Sequence, residues 1–148
     1  MKKETITVRE RETAVRIQNT RIHAVRRKDI VKKGVRVYRD GRIGISGAVG
    51  DIPDSVLERD AVENLNVGMT YPYELAGNRK DHRQYNPHPI SETALLSHVE
   101  KLLEKLRKDY PDFDFSEAVL TREVTWQMRN SEGLDLEYRD AWMELGLI

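Results

Sequence analysis

The side chains best suited to proton transfer or metal ligation are four histidines, His23, His82, His88 and His98, in a chain without cysteine. Zinc requires three or four convergent ligands, usually oriented by an outer layer of hydrogen bonds. His82 and His88, with Asp81 beside them, share the run His82-Arg83-Gln84-Tyr85-Asn86-Pro87-His88. Two histidines in a Pro-bearing segment fall short of a site, so a solvated loop is expected there. His98 lies among Leu95, Leu96, Val99 and Leu102 and reads as the flank of an apolar helix face. The carboxylate pairs Asp112/Asp114 and Asp135/Glu137 suit acid–base chemistry only where burial splits their pKa values. Because Asp135 and Glu137 alternate with Leu134, Leu136 and Tyr138, they are expected to face water. No Ser–His–Asp or Cys–His arrangement can be assembled. The spacing Gly44-x-x-Gly47-x-x-Gly50 precedes a helix, where backbone N–H groups attract anions. It matches neither the dinucleotide nor the Walker A pattern, and a strand-to-helix turn is the expectation. Trp126, Met128, Trp142 and Met143 could form a peptide-binding patch, but their strand periodicity favours a place in the core.

Charge supplies the rival to a purely structural reading. The 148 residues hold 25 bases and 25 acids, yet residues 1–44 carry 14 bases against five acids. An excess of this kind raises the possibility of nucleic acid, with Arg26, Arg27, Lys28, Arg36, Arg39 and Arg42 as the contacts. A reader of nucleic acid would interleave aromatic rings for stacking, and Tyr38 is the one ring in this region. The bases alternate instead with Val35, Val37, Ile43 and Ile45. That pattern favours the solvated face of a sheet, or charge matching with the acidic remainder, over nucleic-acid binding.

The elements that must position these residues follow from periodicity. Residues 1–48 alternate as strands: Ile6 and Val8, then Val15 and Ile17, a turn at Asn19-Thr20, and a looser strand over 21–31 with an irregularity near Lys28-Asp29. Val35 and Val37, then Asp40-Gly41, then Ile43 and Ile45 predict a hairpin with a two-residue type I′ turn, which needs φ > 0 at both central positions. A first helix is expected from Asp51–Asp54 to about Asn66, capped by Asp51 or Asp54, with Pro53 in its first turn and a Ser55/Glu58 capping box. Ser91 should cap a second helix along Leu95, Leu96, Val99, Leu102, Leu103 and Leu106, ended by Pro111. The intervening residues 67–90 form a functional loop, a mobile one, or one hiding a short element. Val124, Trp126 and Met128, then Asn130-Ser131-Glu132-Gly133, then Leu134, Leu136 and Tyr138 read as two strands joined by a turn ending in a left-handed glycine. The order is four strands, helix, loop, helix, two strands. It predicts an α+β fold with a largely antiparallel sheet and two helices packed on one face.

Length suits one domain over 1–148, and no run approaches the ~20 apolar residues of a membrane helix. The apolar end Met143-Glu144-Leu145-Gly146-Leu147-Ile148 suggests a fragment of a longer chain. Two stretches resemble the N-terminal domain of the TldD/PmbA family, the peptidases also called modulators of DNA gyrase. One is Gly34-Val35-Arg36-Val37, the Asp40-Gly41 turn and Gly44; the other is Asn130-Ser131-Glu132-Gly133. The resemblance implies a cytoplasmic two-component zinc metallopeptidase, one subunit active and one silent, acting on peptides and partly unfolded proteins. Its zinc ligands lie in a later domain, on an H-E-x-x-x-H helix. None of the four histidines here is followed by Glu, so no catalytic or metal residue carries over. The resemblance therefore implies an accessory domain without the peptidase core, with no cofactor of its own. Its partners would be the remainder of its parent chain, a paralogous subunit and peptide or protein substrates.

Overall fold

A computed structural model describes all 148 residues. The elements are β1 (Lys2–Gln18), β2 (Arg21–Arg39), β3 (Arg42–Val49), α1 (Asp54–Asn64), β4 (Arg79–Gln84), α2 (Glu92–Asp109), β5 (Glu117–Asn130) and β6 (Leu134–Leu145), with a 3₁₀ turn at Leu65–Val67. They build a mixed α+β fold whose single, mostly antiparallel sheet has the order β3-β2-β1-β5-β6-β4. No helix is long and apolar enough to cross a membrane.

The expected number of strands holds, but their distribution differs. Residues 2–49 form three long strands rather than four, because β2 runs unbroken through the charged stretch Arg26–Asp29. The sixth strand is β4, inside the segment expected as a loop. Its sequence, Arg-Lys-Asp-His-Arg-Gln, has no apolar alternation; it forms because it pairs in parallel with β6, from Arg79↔Leu134 to Gln84↔Arg139. His82 therefore sits in a strand, not in a solvated loop.

The chain forms two compact units. The first comprises Met1–Arg9, Ile30–Gln84 and Val124–Arg139; the second comprises Glu10–Asp29, Tyr85–Glu123 and Asp140–Ile148. In the first, Val35 and Val37 of β2 pack on Leu57, Ala61 and Leu65, with Ala48, Ile52 and Val62 around them. In the second, Val15, Ile17 and Val119 pack on Leu95, Val99 and Leu103 of α2, backed by Ile22, Val25, Ile90 and Leu106. Apolar residues at three- and four-residue spacing along α2 give it the face that this packing buries.

Helix starts differ in the same way. Ser91 caps α2 as expected, its Oγ accepting a hydrogen bond from the Ala94 N–H at 3.2 Å. The first helix has no side-chain cap: Pro53 holds the N-cap position, and Asp51 lies 2.9 Å from Lys33 Nζ instead. Gly44 and Gly47 belong to β3, and only Gly50, with φ of 108°, fits the expected strand-to-helix turn.

Several exposures also depart from expectation. Trp126 and Met128 are half-buried rather than core, and Trp142 and Met143 are 36% and 54% exposed. Asp135 and Glu137 do not simply face water; both are half-buried and hydrogen-bonded. Side chains of a sheet whose neighbours carry long arginines are covered by those stems.

Candidate functional site

The residues that carry the resemblance occupy two places in the first unit. In the hairpin, Asp40 (φ 53°) and Gly41 (φ 69°) both take the left-handed conformation that the Asp-Gly pair predicts, and β2 and β3 pair from Arg39↔Arg42 to Lys32↔Val49. Val35 and Val37 point into the apolar cluster. Gly44 is needed for space rather than for conformation. A Cβ there would collide with the Ala61 carbonyl of α1 and come within 2.9 Å of the Leu65 nitrogen. The absence of a side chain at Gly44 is what lets α1 lie directly on β3. Gly34 is different, since a Cβ would meet only the Ser46 oxygen at 3.8 Å.

The second place is a polar clasp around the β5–β6 turn. Asn130 Oδ1 accepts hydrogen bonds from the N–H groups of Glu132 (2.9 Å) and Leu134 (3.1 Å), while its Nδ2 donates to the Ala76 carbonyl at 2.6 Å. Ser131 exchanges bonds with Lys3: its N–H donates to the Lys3 carbonyl at 2.8 Å, and its Oγ accepts from the Lys3 N–H at 3.0 Å. Gly133 closes the turn with φ of 83°. Two short side chains, Asn130 and Ser131, thereby join the turn, the start of β1 and the segment leading into β4. The hydrogen bonds of the Asn130 and Ser131 side chains run to backbone groups, so these two residues tie the turn to its neighbours.

The proposed nucleic-acid contacts separate into two groups. Arg27 forms a two-pronged pair with Glu92 (2.5 and 2.6 Å), Lys28 pairs with Glu10 at 2.8 Å, and Arg36 pairs at 3.0 Å with the buried Glu4. Arg26, Arg39 and Arg42 are exposed, and Arg39 and Arg42 stand directly opposite each other at the hairpin tip. The tip also gathers rings that the linear sequence separates by more than thirty residues. Tyr71 packs on Tyr38 with centroids 5.3 Å apart, and Tyr73 packs edge-on against Tyr71 at 5.2 Å. The signal for this was weak: Tyr71 and Tyr73 lie in an aperiodic stretch, held by a bond from the Tyr71 N–H to the Gly41 carbonyl at 2.7 Å. Burial, and then the charge of Glu4, push the Tyr38 hydroxyl above its usual pKa, so it stays protonated at neutral pH.

The carboxylates with resolved shifts have pKa values below their usual range because cations or amide groups hold their charged forms. The Arg129 guanidinium lowers Asp135, with help from His82, whose Nε2 lies 3.2 Å away. The Gln127 amide lowers Glu137, which is also paired with Arg139. Arg83 and then Arg79 lower Asp81. Carboxylates held charged in this way are poor proton donors at neutral pH. His88 is exposed, His82 has Asp135 as its partner, and no three His, Asp or Glu side chains converge as a metal would require.

Residues 4–65 match the family model described as PmbA/TldA metallopeptidase domain 1. A Thermotoga maritima protein solved under the name of a modulator of DNA gyrase superposes with a TM-score of 0.75 at 17% identity, over 96% of this chain and 34% of its own. TldE from Thermococcus kodakarensis gives 0.66 at 18% identity, over 99% of this chain and 36% of its own. A Bacteroides thetaiotaomicron protein, also named as a modulator of DNA gyrase, gives 0.64 at 11% identity, over 97% and 35%. At these identities the likeness is one of fold. The chain spans about a third of the length of the solved chains it matches. No curated protein matches it by sequence.

Proposed function

We propose, because residues 4–65 match the PmbA/TldA metallopeptidase domain 1 model and the fold matches the solved chains, that this chain is a first domain of that family and serves as a non-catalytic accessory and interaction domain of a metallopeptidase of that type. In this reading the peptide-cleaving machinery, with its zinc, belongs to the rest of a longer parent chain or to a paralogous subunit, and the substrates are peptides or unfolded proteins. The setting is the cytoplasm. The observation that carries the reading is the use made of the family-motif residues. Gly44 seats a helix and Asn130, Ser131 and Gly133 tie a turn, so the most family-like positions build a frame and leave none over for bond breaking. The donor set of this chain does not fit zinc, since its histidines and carboxylates do not converge.

The test is an assay of residues 1–148 for hydrolysis of a fluorescent casein with and without added zinc. The expected result is no cleavage above a zinc-only blank. Cleavage that a chelator removes and fresh zinc restores would overturn the accessory role.

A further inference from the structure

Gly34 stands in mid-strand without a reason that the fold supplies. Its φ is not left-handed, the β2–β3 ladder runs through it without a bulge, and an added Cβ would meet nothing nearer than the Ser46 oxygen at 3.8 Å. Glycine inside a strand weakens it, and where neither a bend nor a neighbour requires it, it marks a place that another group approaches closely.

Strand pairing locates that place. Val35 and Val37 face α1, as does Gly44, so by alternation Lys32, Gly34 and Arg36 of β2 and Ile45, Gly47 and Val49 of β3 face the other side of the sheet. The register sets them in three rungs: Lys32 opposite Val49, Gly34 opposite Gly47, and Arg36 opposite Ile45. The middle rung has no side chain. It floors a notch of about 380 Å³, walled by the half-buried Ile6 and Val8 of β1 and by Ile45, which is 45% exposed. The whole notch lies in the first unit.

Shape and charge select the occupant. A floor of bare backbone between aliphatic walls takes a flat ring, since aromatic side chains lie well over strand glycines. No carboxylate lines the notch, whereas Lys32 and Arg36 stand at its two ends. Lys32 is exposed and has no ion pair, and Arg36, paired with Glu4, keeps its side chain 42% exposed. The two bases are four strand residues apart, about 13 Å, with the ring position midway between them. An extended segment that carries an acid, an aromatic and an acid at every second residue repeats that spacing.

We propose that the notch binds such a segment of a partner protein. Its ring lies on the rung of Gly34 and Gly47, and its two carboxylates reach Lys32 and Arg36. The chain's own run Asp140-x-Trp142-x-Glu144 has this pattern but is engaged internally, with Asn86 on Asp140 at 2.9 Å and the Trp142 indole N–H on Glu144 at 2.7 Å. The proposal does not depend on the peptidase reading.

The probe is the peptide Glu-Ser-Trp-Ser-Glu, blocked at both ends and titrated to millimolar concentration into the isotope-labelled 148-residue chain, with binding followed by NMR. Expected are saturable upfield shifts of the α-protons of Gly34 and Gly47, the signature of a ring lying over them. Glu-Ser-Leu-Ser-Glu and Lys-Ser-Trp-Ser-Lys should each bind at least about tenfold more weakly, the first for want of a ring and the second from charge repulsion. Gly34→Val fills the notch and should weaken binding about tenfold, and Lys32→Glu about fivefold. Should Gly34→Val disturb the strand, Gly34→Ala raises the floor by one methyl and should still weaken binding about threefold. No saturable shift, equal affinity for the leucine peptide, wild-type affinity in both Gly34 variants, or shifts confined to other residues would overturn the proposal. So would the same glycine shifts growing with protein concentration in the absence of peptide, since a second copy would then be the occupant.

Discussion

The two units solve the same problem, a helix laid on a sheet, by opposite means. In the second unit α2 contributes Leu95, Val99 and Leu103, all essentially inaccessible, and is started by a serine cap. In the first unit α1 buries only Leu57 and Ala61, has no side-chain cap, and approaches β3 at Gly44, where a Cβ would have no room. One contact is made by apolar volume and the other by closeness, with hydrogen bonds around Asn130 supplying order that apolar area does not. A volume-based contact loses stability when atoms are removed; a closeness-based contact loses it when atoms are added.

The largest effects should show that reversal. Leu95→Ala is expected to cost about 3 to 4 kcal/mol by leaving a cavity under α2. Gly44→Ala should cost about 2 to 3 kcal/mol, because the added methyl meets the Ala61 carbonyl and α1 must shift. Gly34→Ala, whose added methyl would make only an ordinary contact with the Ser46 oxygen at 3.8 Å, should stay within about 0.5 kcal/mol. Urea denaturation followed by circular dichroism measures all three. A Gly44→Ala protein as stable as Gly34→Ala would break the distinction between the units.

Next come the polar ties. Asn130→Ala removes three hydrogen bonds from the clasp and is expected to cost about 2 kcal/mol, whereas Ser91→Ala removes one cap bond and should cost about 1 kcal/mol. Asp54→Ala at the uncapped start of α1 should be near neutral by comparison. Thermal melts resolve these differences, and a cost for Asp54→Ala equal to that of Ser91→Ala would mean that α1 is capped in solution after all.

The contrast also explains what could be read from the residues in order. Helix α2, its cap, the Asp40-Gly41 hairpin and the Asn130–Gly133 turn were legible because each is decided by residues within one turn of helix or strand. The seat of α1 was not, because Gly44 is explained by Ala61, seventeen positions away. Strand β4 was illegible for a related reason: six polar residues become a strand only through the edge of β6. The unbroken course of β2 through Arg26–Asp29 depends likewise on partners in β1 and α2, with Lys28 on Glu10, Asp29 on Arg11 and Arg27 on Glu92. Of the candidate contacts, the sequence could name the bases but not which of them were already paired.

Acid should separate the units in the same direction. Asp51, Glu74, Asp81, Asp135 and Glu137 of the first unit have lowered pKa values, as has Glu92 in the second. A carboxyl whose folded pKa is depressed stabilises the fold above its unfolded pKa, about 4, and the contribution disappears as pH falls through the folded value. Stability from these pairs should be flat between pH 7 and 5 and fall below about pH 4. Amides of β4 and β6 up to Arg139 should lose hydrogen-exchange protection before those of α2. If α2 opened first, the polar character assigned to the first unit would be wrong.

The smallest expected effect tests the charges at the hairpin tip. Arg39 and Arg42 face each other across the ladder, and like charges directly opposite destabilise a strand pair. Arg39→Glu converts repulsion into attraction and should raise stability by about 0.5 kcal/mol, an increment that shrinks as salt screens it. Arg36→Ala, three residues further into the paired region, should do the reverse, because it leaves the buried carboxylate of Glu4 without its cation. The same variants weigh the nucleic-acid alternative. If Arg39 and Arg42 neutralised phosphates, the wild-type chain would bind single-stranded DNA with an affinity falling steeply in salt, and Arg39→Glu would reduce that slope by at least about one while Arg36→Ala left it unchanged. The pairing of Arg27, Lys28 and Arg36 leads instead to the expectation of no detectable binding at 50 mM salt by anisotropy. A steep salt slope abolished by Arg39→Glu would reverse that expectation and turn the repulsion at the tip into the cost of an anion site.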